Sequence, residues 1–230
     1  MKAMILAAGR GERLRPLTLE TPKPLIRVGG KPLIVWHLER LSRAGLTDVV
    51  VNTAWLGEQI EEALGDGHQY GVRIEYSREG TPLETLGGIS RALPMLADEG
   101  DFLVINGDVW TDFDPARLLS DEGTEDGSLA TLVLVENPEH HRGGDFILND
   151  AGQVLGEGAG RRYTFAGISR LNPELVRQAP PDEERLGPVL KAAADHGRVR
   201  GIRHSGAWFD VGTHERLAAA DAHVRQYGSS

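Results

Sequence analysis

Through its first half the chain alternates short strand-like runs with segments of helical period, and few folds accept that order. Residues 2–8, 49–52, 72–76 and 102–106 are rich in valine, isoleucine and leucine, too short for core helices, and read as buried strands. Between the first two, Ile34, Leu38 and Leu41 share one helical face, with Pro32 suited to the first turn and Gly45 to the stop. Residues 58–64 and 88–96 also read as helices. This alternation implies an α/β fold with a doubly wound, mainly parallel sheet, which receives ligands outside the carboxyl ends of its strands.

After Asp114 the pattern changes. Residues 129–135, 146–148, 163–169 and 199–203 read as strands between glycine-rich, charged loops, and residues 173–178, 186–194 and 213–226 as helices. A mixed sheet is expected in this half. With 230 residues and 40% hydrophobic content, the expectation is one domain, 1–230, whose halves divide at about residues 113 and 114. A formal net charge of -9 argues against nucleic acid or an anionic membrane as partner. No stretch has the apolar length of a membrane span or a secretory leader, and the lack of cysteine removes disulfide and thiolate chemistry, so a cytoplasmic protein is expected. No coiled-coil or patch pattern points to an oligomeric state.

The run Leu6-Ala7-Ala8-Gly9-Arg10-Gly11-Glu12-Arg13 follows directly on the first strand. Small residues let backbone N–H groups approach phosphate oxygens, and Arg13 and Arg15 add charge beside them. Leu14 stands where the dinucleotide fingerprint needs its third glycine, and no Gly-Lys-Ser/Thr follows, which disfavours NAD and P-loop readings. Next comes Thr21-Pro22-Lys23-Pro24-Leu25, where flanking prolines disfavour helix and should present the Lys23 ammonium from a stiff, extended support.

Together the loop, Arg13 and Pro22-Lys23-Pro24 resemble the signature of the sugar 1-phosphate nucleotidyltransferases. The resemblance continues through Pro82-Leu83-Glu84-Thr85-Leu86-Gly87-Gly88, Asn106-Gly107-Asp108 and Trp208-Phe209-Asp210-Val211-Gly212-Thr213, and so covers nearly the whole chain. It implies a Rossmann-like sheet of the GT-A type, with nucleotide handled by the first half and a small sugar-binding sub-lobe in the second. Trp55-Leu56-Gly57, Gly144-Asp145-Phe146 and Phe165-Ala166-Gly167-Ile168-Ser169 are similar to the branch of short members that uridylylate N-acetylmuramate 1-phosphate in cell-wall recycling. That branch implies UTP as donor. Guanylyl transfer to mannose 1-phosphate is the alternative within enzymes, and a catalytically silent nucleotide-sugar sensor is the alternative outside them.

The resemblance implies specific roles. Leu6, Ala7, Ala8, Gly9, Gly11 and Arg13 would hold the triphosphate, with Glu79, Glu84, Thr85 and Gly87 around the base. Lys23 would bridge the α-phosphate and the sugar phosphate, Asp108 and Asp210 would hold Mg²⁺, and Gly144, Asp145, Phe165 and Gly167 would face the sugar. Departures occur at Glu12, where relatives commonly carry serine or threonine, and at Glu84, where many carry glycine. The sugar-side Glu-Lys-Pro motif has no counterpart between Gln153 and Arg162, leaving Arg161 and Arg162 as nearby cations. His140 and His141 are adjacent, so their side chains should diverge and not form a metal site, and Trp36 and Trp55 read as packing residues.

Overall fold

The computed structural model describes residues 1–97, 100–119 and 127–228. Its first half contains the strands β1 (Ala3–Leu6), β2 (Arg27–Val28), β3 (Lys31–Pro32), β4 (Asp48–Thr53), β5 (Arg73–Arg78), β6 (Phe102–Asn106) and β7 (Val109–Thr111). Among them lie helices α1 (Leu17–Glu20), α2 (Leu33–Arg43), α3 (Gly57–Leu64) and α4 (Thr85–Leu96). The second half adds β8 (Ala130–Val135), β9 (Phe146–Leu148), β10 (Val154–Leu155), β11 (Arg162–Leu171), β12 (Val199–Arg203) and β13 (Trp208–Asp210), with α5 (Pro173–Arg177), α6 (Leu186–Asp195) and α7 (His214–Tyr227).

One sheet joins the two halves, in the order β10-β9-β11-β6-β1-β4-β5, with β8 on β11 and β12 on β8. The β6-β1-β4-β5 part is parallel, as its helical crossovers require, while β11 runs antiparallel to β6 and makes the sheet mixed. The period of two along each strand feeds both faces. Met4, Phe102, Val104, Leu132 and Leu134 turn toward α4, α5 and α6, whereas Ala3, Ile5, Leu103, Ile105 and Val133 turn toward α2 and α3. A third apolar cluster packs Leu14, Trp36, Trp110 and Val211 with Ala220 and Val224 of α7, and so ties the C-terminal helix to the N-terminal loop. Trp36 is buried there, edge-on to Trp110. Among the described residues no helix is long and apolar enough to cross a membrane.

Two local findings differ from sequence expectation. Lys23 stands in a single 3-10 turn, Lys23–Leu25, and not in an extended segment. Proline is tolerated in a first helical turn, where its missing N–H is not needed, and Leu25 N donates to Pro22 O at 2.8 Å to close the turn. The short β7, not foreseen, pairs antiparallel with β13 and sets Asp210 opposite Val109. That pairing draws residues a hundred positions apart to the end of β6.

Candidate active site

Leu6, Asn52 and Asn106 stand side by side at the carboxyl ends of β1, β4 and β6. Above them opens a cavity of about 640 Å³, walled by the 6–13 loop, Lys23, Asn52, residues 82–85, Asn106, Asp108 and Gly212. The loop is braced from behind: Ala7 N donates to Asn52 Oδ1 at 2.7 Å, Thr18 Oγ1 to Gly11 O at 2.8 Å, and Trp55 Nε1 to Thr18 O at 3.0 Å. Gly11 holds φ +61°, and a Cβ there would lie 2.8 Å from Thr18 Cγ2, so this turn requires glycine. Among the described residues, the N–H groups of Ala8, Gly9, Arg10 and Gly11 donate to no protein acceptor. They form the kind of backbone nest that takes an anion.

A second cavity of about 390 Å³ meets the first at Arg13, Asn106 and Asp108. Its wall continues through His140, His141, residues 164–167, Trp208, Asp210 and Arg216. At the junction Lys23 Nζ donates to Asp108 Oδ2 at 2.6 Å; the lysine side chain is only 10% exposed, the aspartate 39%. Asp210 is gripped from two sides, by Arg216 Nη1 at Oδ2 and by His140 Nε2, 3.2 Å from Oδ1. Arg13 makes no ion pair or hydrogen bond with the described residues, and its Nη2 stands close to Gly212 beside that of Arg216. Cations and carboxylates therefore meet where the two cavities join.

The expected residues divide into those on the walls and those behind them. Leu6, Ala7, Ala8, Gly9, Gly11, Arg13, Lys23, Glu84, Thr85 and Asp108 line the first cavity; Arg13, Asp108, Phe165, Gly167 and Asp210 line the second. Glu79 is not among the residues that line the first cavity. It is buried, and its carboxylate accepts from Asn52 Nδ2 at 2.7 Å and from Leu83 N at 2.8 Å. Each oxygen thus holds a piece of the wall in place. Gly87 lies in the first turn of α4, outside the lining, and its N–H donates to Glu184 O. Asp145 also lies behind the wall, with Oδ1 at 2.9 Å from His141 Nε2 and Oδ2 accepting from Phe165 N at 2.8 Å; Gly144 turns the chain into it at φ +62°. Arg161 pairs with Glu136, and Arg162 donates to Asp145 O and Gly156 O, so neither faces the cavity.

Asn52, His140, His141 and Arg216 were not foreseen as site residues. His140 and His141 do diverge, as adjacency predicts, yet both reach the cavity from a single 3-10 turn and pair with different aspartates. Beneath the site, His37 is fully buried with Nε2 2.7 Å from Val109 O, and burial, aided by the charge of Arg40, pushes its pKa down to about 4.

A family model described as nucleotidyl transferase matches residues 2–227. The chain belongs to that family. It is 51% identical over 226 residues to the N-acetylmuramate alpha-1-phosphate uridylyltransferase of Neisseria meningitidis serogroup B, covering 96% of this chain and 97% of that one. It is 33% identical over 229 residues to the mannose-1-phosphate guanyltransferase of Aspergillus fumigatus, covering 92% of this chain and 61% of the relative. In fold it matches a Bacillus anthracis structure named for glucose-1-phosphate thymidylyl transfer, with a TM-score of 0.87 and 23% identity over 100% of this chain and 97% of the other. That likeness supports the mixed α/β nucleotidyl transferase fold.

Proposed function

We propose that this nucleotidyl transferase, acting as one domain over residues 1–230, joins UTP to N-acetylmuramate 1-phosphate. The products are UDP-N-acetylmuramic acid and pyrophosphate. The observation that carries this reading is the pair of cavities meeting at Arg13 and Asp108, with Lys23 at the junction. Two substrates with phosphates must converge at such a point, and full-length likeness to a uridylyltransferase supports the choice of base and sugar. Cell-wall recycling follows from those substrates. A cytoplasmic location is consistent with the cysteine-free chain.

In this reading a phosphate oxygen of the sugar 1-phosphate attacks the α-phosphorus of UTP. The bond from that phosphorus to the bridging oxygen of the β-phosphate breaks, and pyrophosphate departs with the electron pair. No covalent enzyme intermediate is needed, because such transfers depend on positioning and charge neutralisation. The free N–H groups of the 8–11 loop and Arg13 hold the triphosphate, and the Lys23 ammonium lies where the two anions meet. Burial of the Lys23 side chain keeps water away from its charge and strengthens its pull on phosphate.

The carboxylates of Asp108 and Asp210 suit Mg²⁺, a hard cation that takes oxygen donors and is often bound by one or two carboxylates plus phosphates and water. Among the described residues there is no group of three or more His, Cys, Asp or Glu that would build an all-protein cage, so substrate phosphates would supply further ligands. When bound, the ion would polarise the α-phosphate and orient both phosphates. A pyrophosphate-release panel tests the proposal, pairing UTP, GTP, CTP and dTTP with N-acetylmuramate, N-acetylglucosamine, glucose and mannose 1-phosphates. Turnover is expected with UTP and N-acetylmuramate 1-phosphate. Turnover confined to GTP and mannose 1-phosphate would overturn it.

A further inference from the structure

A sugar 1-phosphate carries close to two negative charges into a cavity whose wall already holds Asp108 and Asp210, so fixed positive charge must face it from the same side. Four basic side chains line that cavity. His140 and His141 carry charge only when protonated and are paired with Asp210 and Asp145. Arg13 stands at the junction and also lines the nucleotide cavity. Arg216 is the guanidinium confined to the sugar side. The arginines nearer in sequence to the sugar sub-lobe are engaged elsewhere, Arg161 and Arg203 with Glu136 and Arg162 with two carbonyls.

We propose that Arg216 receives the phosphate of the sugar 1-phosphate. The proposal rests on the sugar 1-phosphate reading above. Arg216 is held by its fold position: its backbone N–H is capped by Thr213 Oγ1, and its side chain is 18% exposed against Asp210. Nη1 is spent on Asp210 and Nε donates to Thr213 Oγ1 at 3.4 Å, while Nη2 makes no hydrogen bond with the described residues. The Nη2 atoms of Arg216 and Arg13 lie 2.3 and 3.1 Å from the point that a Cβ on Gly212 would occupy. Two like charges brought this close over one glycine repel each other, and an anion set against both relieves the repulsion. A Cβ at 212 would displace the two guanidinium ends from where they stand. With its plane fixed by Asp210 and Thr213, the guanidinium keeps the N–H groups of Nη2 for a charge-assisted bond to a phosphate oxygen.

The test compares Arg216→Gln and Arg216→Lys with the unaltered protein, measuring KM for the sugar 1-phosphate and for UTP separately, alongside thermal melting. Loss of charge-assisted hydrogen bonds predicts a rise in the sugar 1-phosphate KM of about 10- to 100-fold for Arg216→Gln, with UTP KM within about twofold. Arg216→Lys should fall between, because it keeps the charge and loses the Nη2 donor that Asp210 and Thr213 hold in place. A sugar 1-phosphate KM within about twofold of the parent in Arg216→Gln, or a parallel rise in both constants, overturns the proposal; the parallel rise would assign Arg216 to holding Asp210. If Arg216→Gln does not melt cooperatively, Arg216→Lys decides alone: a severalfold rise confined to the sugar 1-phosphate supports the proposal, and an unchanged value overturns it. The unaltered protein in the same assay reports the sugar independently. Turnover with a different sugar 1-phosphate would refute the choice of sugar, while the Arg216 comparison would be read with that sugar.

Discussion

His37 makes acid sensitivity a direct probe of the structure under the site. The ring is fully buried on α2 and contacts the carbonyl of Val109, the residue after Asp108. Its pKa falls from the ordinary 6.5 to about 4, chiefly through burial and secondly through the Arg40 charge. The native ring is therefore neutral at pH 7, and Nε2–H donates to Val109. Above pH 6.5 the folded and unfolded chains hold the same number of protons on this residue, and it adds no pH dependence. Between 6.5 and about 4 the unfolded chain takes up a proton that the native one refuses, so stability falls as the pH falls. Below about 4 both are protonated and the loss levels off. At 1.36 kcal/mol per pH unit, the full loss is about 3 kcal/mol, most of it reached by pH 4.5. Urea unfolding at pH 7.5 and pH 4.5 measures it, with His37→Gln as reference, since a glutamine amide can still donate to Val109 and does not titrate. The parent protein should lose about 2–3 kcal/mol more than His37→Gln across that interval. Carboxylates titrate in both proteins and cancel in the comparison. Equal losses would refute the assignment of a neutral, buried imidazole.

Four further outcomes follow from the site. Asp108→Asn should reduce Mg²⁺-dependent pyrophosphate release by about 100-fold or more while the far-ultraviolet circular dichroism spectrum is retained, and normal turnover would remove Asp108 from the proposed metal pair. Glu79→Gln can accept from only one of Asn52 and Leu83, so stability should fall by about 1–3 kcal/mol in urea melts and UTP KM should rise more than the sugar 1-phosphate KM. Gly88→Ala would set a Cβ 2.7 Å from Glu79 Oε1 and 2.8 Å from Asn52 Nδ2, so it should act like Glu79→Gln and cost about 1–3 kcal/mol. Asp145→Asn retains an acceptor for Phe165 N but loses the charge that holds His141, so the sugar 1-phosphate KM should rise with UTP KM unchanged.

The strands were legible wherever both faces are covered. β1, β4 and β6 are buried on both sides, so their apolar runs announce them; β6 and β9 occupy the expected residues, and β4 differs from expectation by one residue at each end. β7 and β13 were not both legible as a pair. Val109–Thr111 is short and mostly apolar, and its partner is recognisable only once the chain has returned a hundred residues later. The Lys23 turn is not legible in the sequence, because a proline fits a first helical turn as well as it fits an extended segment.

Within the site, legibility followed the source of each residue's position. Gly9, Gly11 and Asp108 are placed by local backbone at the end of a strand, and local backbone is what a sequence displays. Glu79, Asp145 and His140 are placed in part by partners remote in sequence, Asn52, Phe165 and Asp210. The bonds of Glu79 to Asn52 and Leu83, which build the wall behind the first cavity, have no local signature in the sequence. Adjacent histidines look uninformative because a strand or α-helix would send them apart; in a 3-10 turn of three residues each still reaches one cavity through its own aspartate. Arg216 carried a usable signal. Thr213 is an N-cap, so the third residue after it lies in the first helical turn, close to the Asp210 that precedes the cap. A cation in that first turn opposes the helix dipole, and helices favour carboxylates there instead. An arginine kept at an electrostatically unfavourable position needs a compensating anion, and Asp210 is the one it has in this structure.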